Sequence, residues 1–204
     1  MSYLFIDSTY DLNIGVLDKG LKWLCFEHIS GVKASVVIQQ KTQEFLSLHG
    51  LDPRDLNGII TVNGPGFYTG LRLAEGVADI FEFFGVKKYS FYSYEIPLWC
   101  GYNKGAWFTK AYRGEYFIYR WDHELNSKHL YTSQEMSSLM GAESYFIHSE
   151  TSMDHLSSSL VTSGLKTIEL IKSHPVEIFK QVLTGLRRDP FYFRPPEDEF
   201  KANP

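Results

Sequence analysis

Cysteine is scarce: Cys25 and Cys100 are the only two in 204 residues, and they form neither a CxxC pair nor a zinc-type spacing. That excludes a disulfide framework and points to a reducing compartment, so the chain is expected to be cytoplasmic. Long apolar runs are missing too. The first acid, Asp7, comes too early for a signal-peptide apolar region, and no later stretch approaches a membrane span. A basic excess is also lacking, because 20 Lys and Arg face 24 Asp and Glu for a net charge of −4. Such a surface does not attract a phosphate backbone, and any service to RNA would leave the grip to a partner. The catalytic signatures of a P-loop, a zinc protease helix and a serine nucleophile elbow are absent, and neither cysteine has an activating context. Seven histidines include no pair four residues apart, and the nearest metal grouping, His148 with Glu150 and His155, has loose spacing. No metal site is expected.

What is abundant is aromatic area, 15 Phe and 13 Tyr, which needs a large interior. Tyr3 to Asp7 and Leu12 to Leu17, divided by a polar turn, read as a hairpin, and Trp23 to Ile29 as a third strand. Lys33 to His49 has helical periodicity and stops at Gly50. Asp52-Pro53 predicts an N-cap and one short turn before the buried run Ile59 to Val62. After Asn63-Gly64-Pro65-Gly66, Thr69 is expected to cap a helix over 70–84 that Gly85 ends. Val86 to Tyr92 reads as a strand. Trp107 to Tyr112 and Glu115 to Trp121 repeat the hairpin theme around Arg113-Gly114. Thr132 and Glu135 make a capping box, Tyr145 to His148 a strand, and Pro175 to Leu186 a last helix. Two hairpin-led units of similar length predict an internally duplicated α/β fold. The expected division is a first lobe over 1–100, a smaller second lobe over 101–188, and an extended tail over 189–204 with room to return to the first lobe.

Three features bear on function. In the 70–84 helix Arg72, Glu75, Asp79 and Glu82 form one narrow polar stripe, which leaves Leu73, Val77, Ile80, Phe81, Phe83 and Phe84 among the residues of a broad apolar surface. One sheet does not cover all of that, so the helix is either sandwiched in its own fold or reserves a face for another chain. The loop from Gly64 to Gly66, between a strand and a helix, has the layout of a backbone anion site, or of a tight structural turn. Asp7, with Ser8 and Thr9 at the hairpin bend, suits a phosphate and its metal, or merely satisfies turn amides.

Gly64-Pro65-Gly66-Phe67-Tyr68-Thr69-Gly70-Leu71-Arg72 resembles the Gly-Pro-Gly-Ser-Phe-Thr-Gly-Leu-Arg signature of the TsaB (YeaZ) family, with seven of nine positions identical. Asp7-Ser8-Thr9 stands where that family has Asp-Thr-Ser. Ala111, Arg113, Gly114 and Glu115 resemble its second-lobe segment, and Pro190, Tyr192 and Arg194 its terminal Pro-x-Tyr-x-Arg. The likeness is dense over 1–100 and sparse over 122–188. Ala34-Ser35 replaces a frequent His-Ser, Lys110 an Asp, Tyr112 an Arg and Phe67 a Ser.

The resemblance implies a two-lobed, ribonuclease H-like fold of the actin-like ATPase class. It implies a non-catalytic scaffold in forming threonylcarbamoyladenosine at adenosine 37 of tRNA, paired with a TsaD-like catalytic subunit and joined by a TsaE-like ATPase. tRNA would be met only indirectly. No cofactor is required of this chain, and ATP belongs to the complex. The partner face is expected on the helices over 33–49 and 70–84, with Val37, Lys41, Leu73, Val77, Ile80 and Phe84 as contacts. Asp7, Ser8, Thr9, Gly64 and Gly66 are the candidate nucleotide or phosphate contacts. Two alternatives stay open: a homodimeric binding protein using the same face, and a small nucleotide-dependent phosphotransferase or hydrolase using Asp7 and the glycine loop.

Overall fold

The computed structural model describes residues 2–111, 114–122, 126–132, 134–135, 145–148 and 164–193. It begins with the antiparallel strands β1 (Ser2–Asp7), β2 (Leu12–Asp18) and β3 (Trp23–Ile29). Helix α1 (Ala34–Leu48) follows, then β4 (Gly58–Val62), helix α2 (Tyr68–Phe83) and β5 (Lys88–Phe91), with β4 and β5 added parallel to β1. The sheet order is β3-β2-β1-β4-β5.

The second half repeats this plan. After a short helix α3 (Ile96–Trp99), β6 (Gly105–Lys110), β7 (Glu115–Trp121) and β8 (Asn126–Thr132) are antiparallel. Strands β9 (Tyr145–Ile147) and β10 (Leu165–Lys166) lie parallel to β6, giving the order β8-β7-β6-β9-β10. Helices α4 (Thr167–Ser173) and α5 (Pro175–Thr184) complete the described elements. Two mixed five-stranded sheets of one topology, each with helices, make the two-lobed actin-like fold.

Strand alternation sends side chains into two cores. From β1, Leu4 and Ile6 face α1 and α2, where they join Ile14, Ile38, Phe45, Ile59, Ala74 and Phe81. Phe5 points the other way, into a larger core shared by both sheets with Ile60, Phe91, Trp107, Phe117, Phe146 and Phe179. The aromatic surplus is spent there. Phe179 of α5 meets Phe5, Trp23 and Phe91 at centroid distances of 5.6, 5.5 and 6.3 Å, within the range of favourable ring pairs. Gly15 makes room for this, since a Cβ there would lie 2.7 Å from the Trp23 ring.

Both long helices end as their glycines predict. Gly50 and Gly85 have φ of +62° and +86°. In each case the glycine N–H donates three residues back and the next N–H five residues back, to Leu46 and Phe81, closing a Schellman motif. Several expectations are corrected. Helix α2 starts at Tyr68 with Phe67 at the N-cap, so Thr69 is not the cap. Phe67 N–H is held by the Thr9 carbonyl at 3.2 Å, which fixes the chain two residues earlier than the threonine would. The fifth strand is shorter than 86–92, the sixth lies two residues earlier than 107–112, and the last helix ends at Thr184 instead of Leu186. Strands β8 and β10 and helices α3 and α4 were not predicted. Glu135 and Thr132 do form the reciprocal capping bonds. Tyr112, Arg113, Glu150, His155 and Arg194 lie outside the described residues.

Candidate functional site: a closed junction and an uncovered helix face

The C-terminal end of β1 is where the two lobes meet. Asp7 is fully buried there. Its Oδ1 accepts from Thr9 N at 3.0 Å and Thr9 Oγ1 at 2.6 Å, and its Oδ2 from Asn13 Nδ2 at 3.1 Å. The same Oδ2 lies 3.1 Å from His148 Nε2, which arrives from the second lobe just past β9. A carboxylate only accepts, so Nε2 carries the hydrogen. The Thr9 hydroxyl already donates to Asp7, so at 2.8 Å it accepts from the same Nε2. On the far side His148 Nδ1 faces Thr167 Oγ1 at 3.1 Å, at the start of α4. Burial alone would push the Asp7 carboxyl up. The Coulombic pull of His148 and the hydrogen bonds from His148 and Thr9 outweigh it and hold the carboxyl below its ordinary value.

This cluster joins an acid, an imidazole and two hydroxyls. Asp7 and the Thr167 hydroxyl occupy opposite ring nitrogens, as acid and nucleophile do in a catalytic triad, but Thr167 is fully buried and its hydroxyl lies 3.3 Å from the Ile147 carbonyl, so it faces the protein's own chain. Asp7, Ser8, Thr9, His148 and Thr167 are all buried. The arrangement clamps one lobe to the other. Tyr10 strengthens the junction by donating to the Lys110 carbonyl at the end of β6.

The glycine loop is packed by the protein's own chain. A Cβ on Gly64, whose φ is +113°, would lie 2.5 Å from the Phe191 carbonyl, and one on Gly66 would lie 2.8 Å from Thr9 Cβ. A Cβ on Gly70 would fall onto the Ser8 carbonyl oxygen, while Ser8 Oγ donates to the Gly70 carbonyl at 2.7 Å. Residues 188–193 run over the loop as a strap. Phe191 N–H donates to the Asn63 carbonyl at 2.8 Å, Asn63 Nδ2 and Ser90 Oγ both donate to the Arg188 carbonyl at 2.8 Å, and Tyr192 bridges Gly66. Thus Asp7, Ser8, Thr9, Gly64 and Gly66 are brought together, with protein groups against each. Ser8 and Thr9 also border a depression of about 170 Å³ reached by Lys33 and Thr69.

The outer face of the first lobe is different. In α2, Leu71, Ala74, Ala78 and Phe81 are buried, and Leu73 and Val77 are half-buried. Ile80, Phe83 and Phe84 remain 54%, 85% and 57% exposed, an apolar ridge that the protein's own fold leaves uncovered. Beside it a groove of about 420 Å³ runs between the helices, with Thr42 and Leu46 of α1 facing Val77, Ile80 and Phe81 of α2. Val37 is half-buried on α1. Lys41 is paired with Glu27 at 3.1 Å and Glu44 at 3.3 Å, which holds it at the edge of the face. Of the six residues named from the sequence, Val77 and Ile80 line this groove and Phe84, the C-cap of α2, belongs to the ridge, whereas Leu73 borders the depression beside Ser8 and Thr9, and Val37 and Lys41 do not line the groove.

Sequence reasoning missed the partner of Asp7. His148 stood only in a loose metal grouping, and Thr167 was not singled out. A histidine ending an apolar strand, Tyr145 to Ile147, was the available signal. Among the described residues no group of three His, Cys, Asp or Glu side chains is placed to hold a metal ion, and no helix is long and apolar enough to cross a membrane. Burial pushes the Cys100 thiol up to about 11.

No protein-family profile matches the sequence, and no curated protein matches it. Solved structures do. An uncharacterized protein with similarity to peptidase YeaZ from Pseudomonas aeruginosa superposes with a TM-score of 0.62 at 17% identity, over 95% of this chain and 99% of that one. The fold is YeaZ-like. YeaZ from Pseudomonas aeruginosa superposes with a TM-score of 0.52 at 18% identity, over 72% of this chain and 74% of that one. At such identities the shared property is the fold, and the YeaZ-like signature loop at Gly64 is the part of it that the strap covers.

Proposed function

We propose that this YeaZ-like chain is a non-catalytic scaffold subunit for forming threonylcarbamoyladenosine on tRNA, and that it pairs with a TsaD-like catalytic subunit through α1 and α2. The observation that carries this reading is the ridge of Ile80, Phe83 and Phe84 beside the interhelical groove. Exposed aromatic and aliphatic side chains around a groove are the usual anchors of a protein interface. The signature segment at the start of α2 and the YeaZ-like fold agree with it. The buried and fully engaged Asp7 supports a role without chemistry of its own. ATP and a TsaE-like ATPase enter at the level of the complex, tRNA is held by the partners, and the setting is cytoplasmic.

The test is a pull-down with the tagged chain and its Val77→Asp/Phe84→Asp variant, followed by a modification assay with the reconstituted subunits. The expected result is capture of the TsaD-like subunit by the wild type, loss of capture and of modification by the variant, and unchanged circular dichroism. Global unfolding of the variant would show the face to be core. A wild-type chain that sediments as a dimer and captures nothing else would overturn the scaffold reading in favour of self-association.

A further inference from the structure

Asn63, which follows β4, is buried and has both ends of its side-chain amide engaged. Its Oδ1 accepts from Thr61 Oγ1 at 2.8 Å. One Nδ2 hydrogen goes to the Arg188 carbonyl of the strap at 2.8 Å, and the other to Glu75 Oε1 of α2 at 2.9 Å. Glu75 Oε1 also receives Lys88 Nζ at 2.9 Å, and that ammonium, at the start of β5 on a side chain with no exposed surface, reaches Asp79 Oδ1 at 2.6 Å. Strap, loop, sheet and α2 are thereby joined by one polar chain that ends on the residue before Ile80 of the ridge. A second link lies outside it. Arg187, just before the strap, pairs at 3.2 Å with Glu82, the neighbour of Phe83.

A buried polar network is favourable when every member is satisfied and costly when one is left without a partner. The strap supplies two members of this one. The Arg188 carbonyl takes the Asn63 amide, and the Phe191 N–H closes onto the Asn63 carbonyl at 2.8 Å. Lifting the strap withdraws both bonds at once from the residue that also holds Glu75. In the other direction, displacing Glu75 strands the second amide hydrogen of Asn63 and takes one of two carboxylates from the buried Lys88 ammonium.

We propose that the strap and the α2 ridge form one coupled device: a seated strap fixes α2 through Asn63 and Glu75, and a partner docked on the ridge tightens the strap in return. The partner half of this inference rests on the scaffold reading above. Because the shared network is complete only with the strap in place, the strap is seated or released as a unit and does not fray residue by residue. Two events that favour the same state strengthen each other by the same factor, so the coupling runs both ways. Asn63 and Glu75 are positioning residues in this device, since they act on the ridge through the seat of α2.

Hydrogen exchange at the Phe191 amide of the intact chain reads the strap, and exchange at the core amide of Ile60 reads the whole fold. Glu75→Leu removes the acceptor that α2 offers Asn63 and is expected to accelerate Phe191 exchange severalfold while Ile60 changes less. Glu75→Gln, whose amide oxygen still accepts from Asn63, should stay near the wild type. Unchanged Phe191 exchange in Glu75→Leu, or an equal acceleration at Ile60, would overturn the link between α2 and the strap. The second measurement uses the wild-type chain with and without the TsaD-like subunit. Capture is expected to slow Phe191 exchange severalfold, and capture with unchanged exchange would overturn the coupling to the ridge. Absence of capture sinks the scaffold reading and with it the partner half, and the Glu75 variants then decide the link within the chain.

Discussion

The first and second sheets share a strand order but finish their leading strands differently. Strand β1 ends on Asp7, a carboxylate buried in the junction, whereas the equivalent β6 ends on Lys110, whose carbonyl receives the Tyr10 hydroxyl. The second lobe meets the buried acid with His148, whose Nε2 lies 3.1 Å from Asp7 Oδ2, so the two lobes are joined by a hydrogen bond at this point. The two sheets share a topology, and the residues at their equivalent strand ends differ in what they bind across the junction.

The sharpest way to break that asymmetry is His148→Leu. It leaves Asp7 buried without its cross-lobe partner, and removing one member of a buried pair costs about 3–5 kcal/mol. Urea denaturation should register this as a lower midpoint, and a loss under about 1 kcal/mol would show the lobes to be held by apolar packing alone. Next in size is Gly70→Ala. The added methyl must displace the Ser8 carbonyl, an overpacking that costs about 1–3 kcal/mol, whereas Gly76→Ala, with open space around it, should stabilise α2 slightly. Thermal melts of the two variants give opposite signs. The smallest effect is acid-dependent. Because the folded-state pKa of Asp7 is held below its unfolded value, its contribution is complete above about pH 4 and is lost as pH falls through the depressed value. In Asp7→Asn the stability lost on acidification should be smaller than in the wild type, as measured by urea midpoints at successive pH values.

Much of the first lobe was legible because its strands alternate and its helices end on glycines. Trp23–Ile29 was placed to the residue, and α1 to within one residue at each end. The second lobe was harder to read for physical reasons. Strand β8, with Ser127, Lys128 and His129, is a sheet edge wetted along much of its length, so it shows no apolar period. Helix α4 is seven residues long, too short for a helical repeat to declare itself. The candidate site divides the same way. Asp7, Thr9 and Asn13 are local and could be suspected from the hairpin, while His148 lies 141 residues from Asp7 and no window of sequence joins them. The uncovered part of α2 was visible as a surplus of apolar residues. What periodicity could not tell was how the surplus would divide, with Phe81 going inward and Phe83 and Phe84 outward.

The strap over residues 188–193 also has a meaning in time. A chain leaves the ribosome from its first residue onward, and domains tend to fold as their residues emerge. The strands and helices of the first lobe can therefore assemble early, but the loop from Asn63 to Gly66 acquires its cover only when the strap arrives, more than a hundred residues later. Until then the first lobe lacks that cover, as it lacks Phe179 of α5 against Phe5, Trp23 and Phe91. The last described segment thus acts as the closing step of the first structure to form, and shortening the chain at that end should be felt at its beginning.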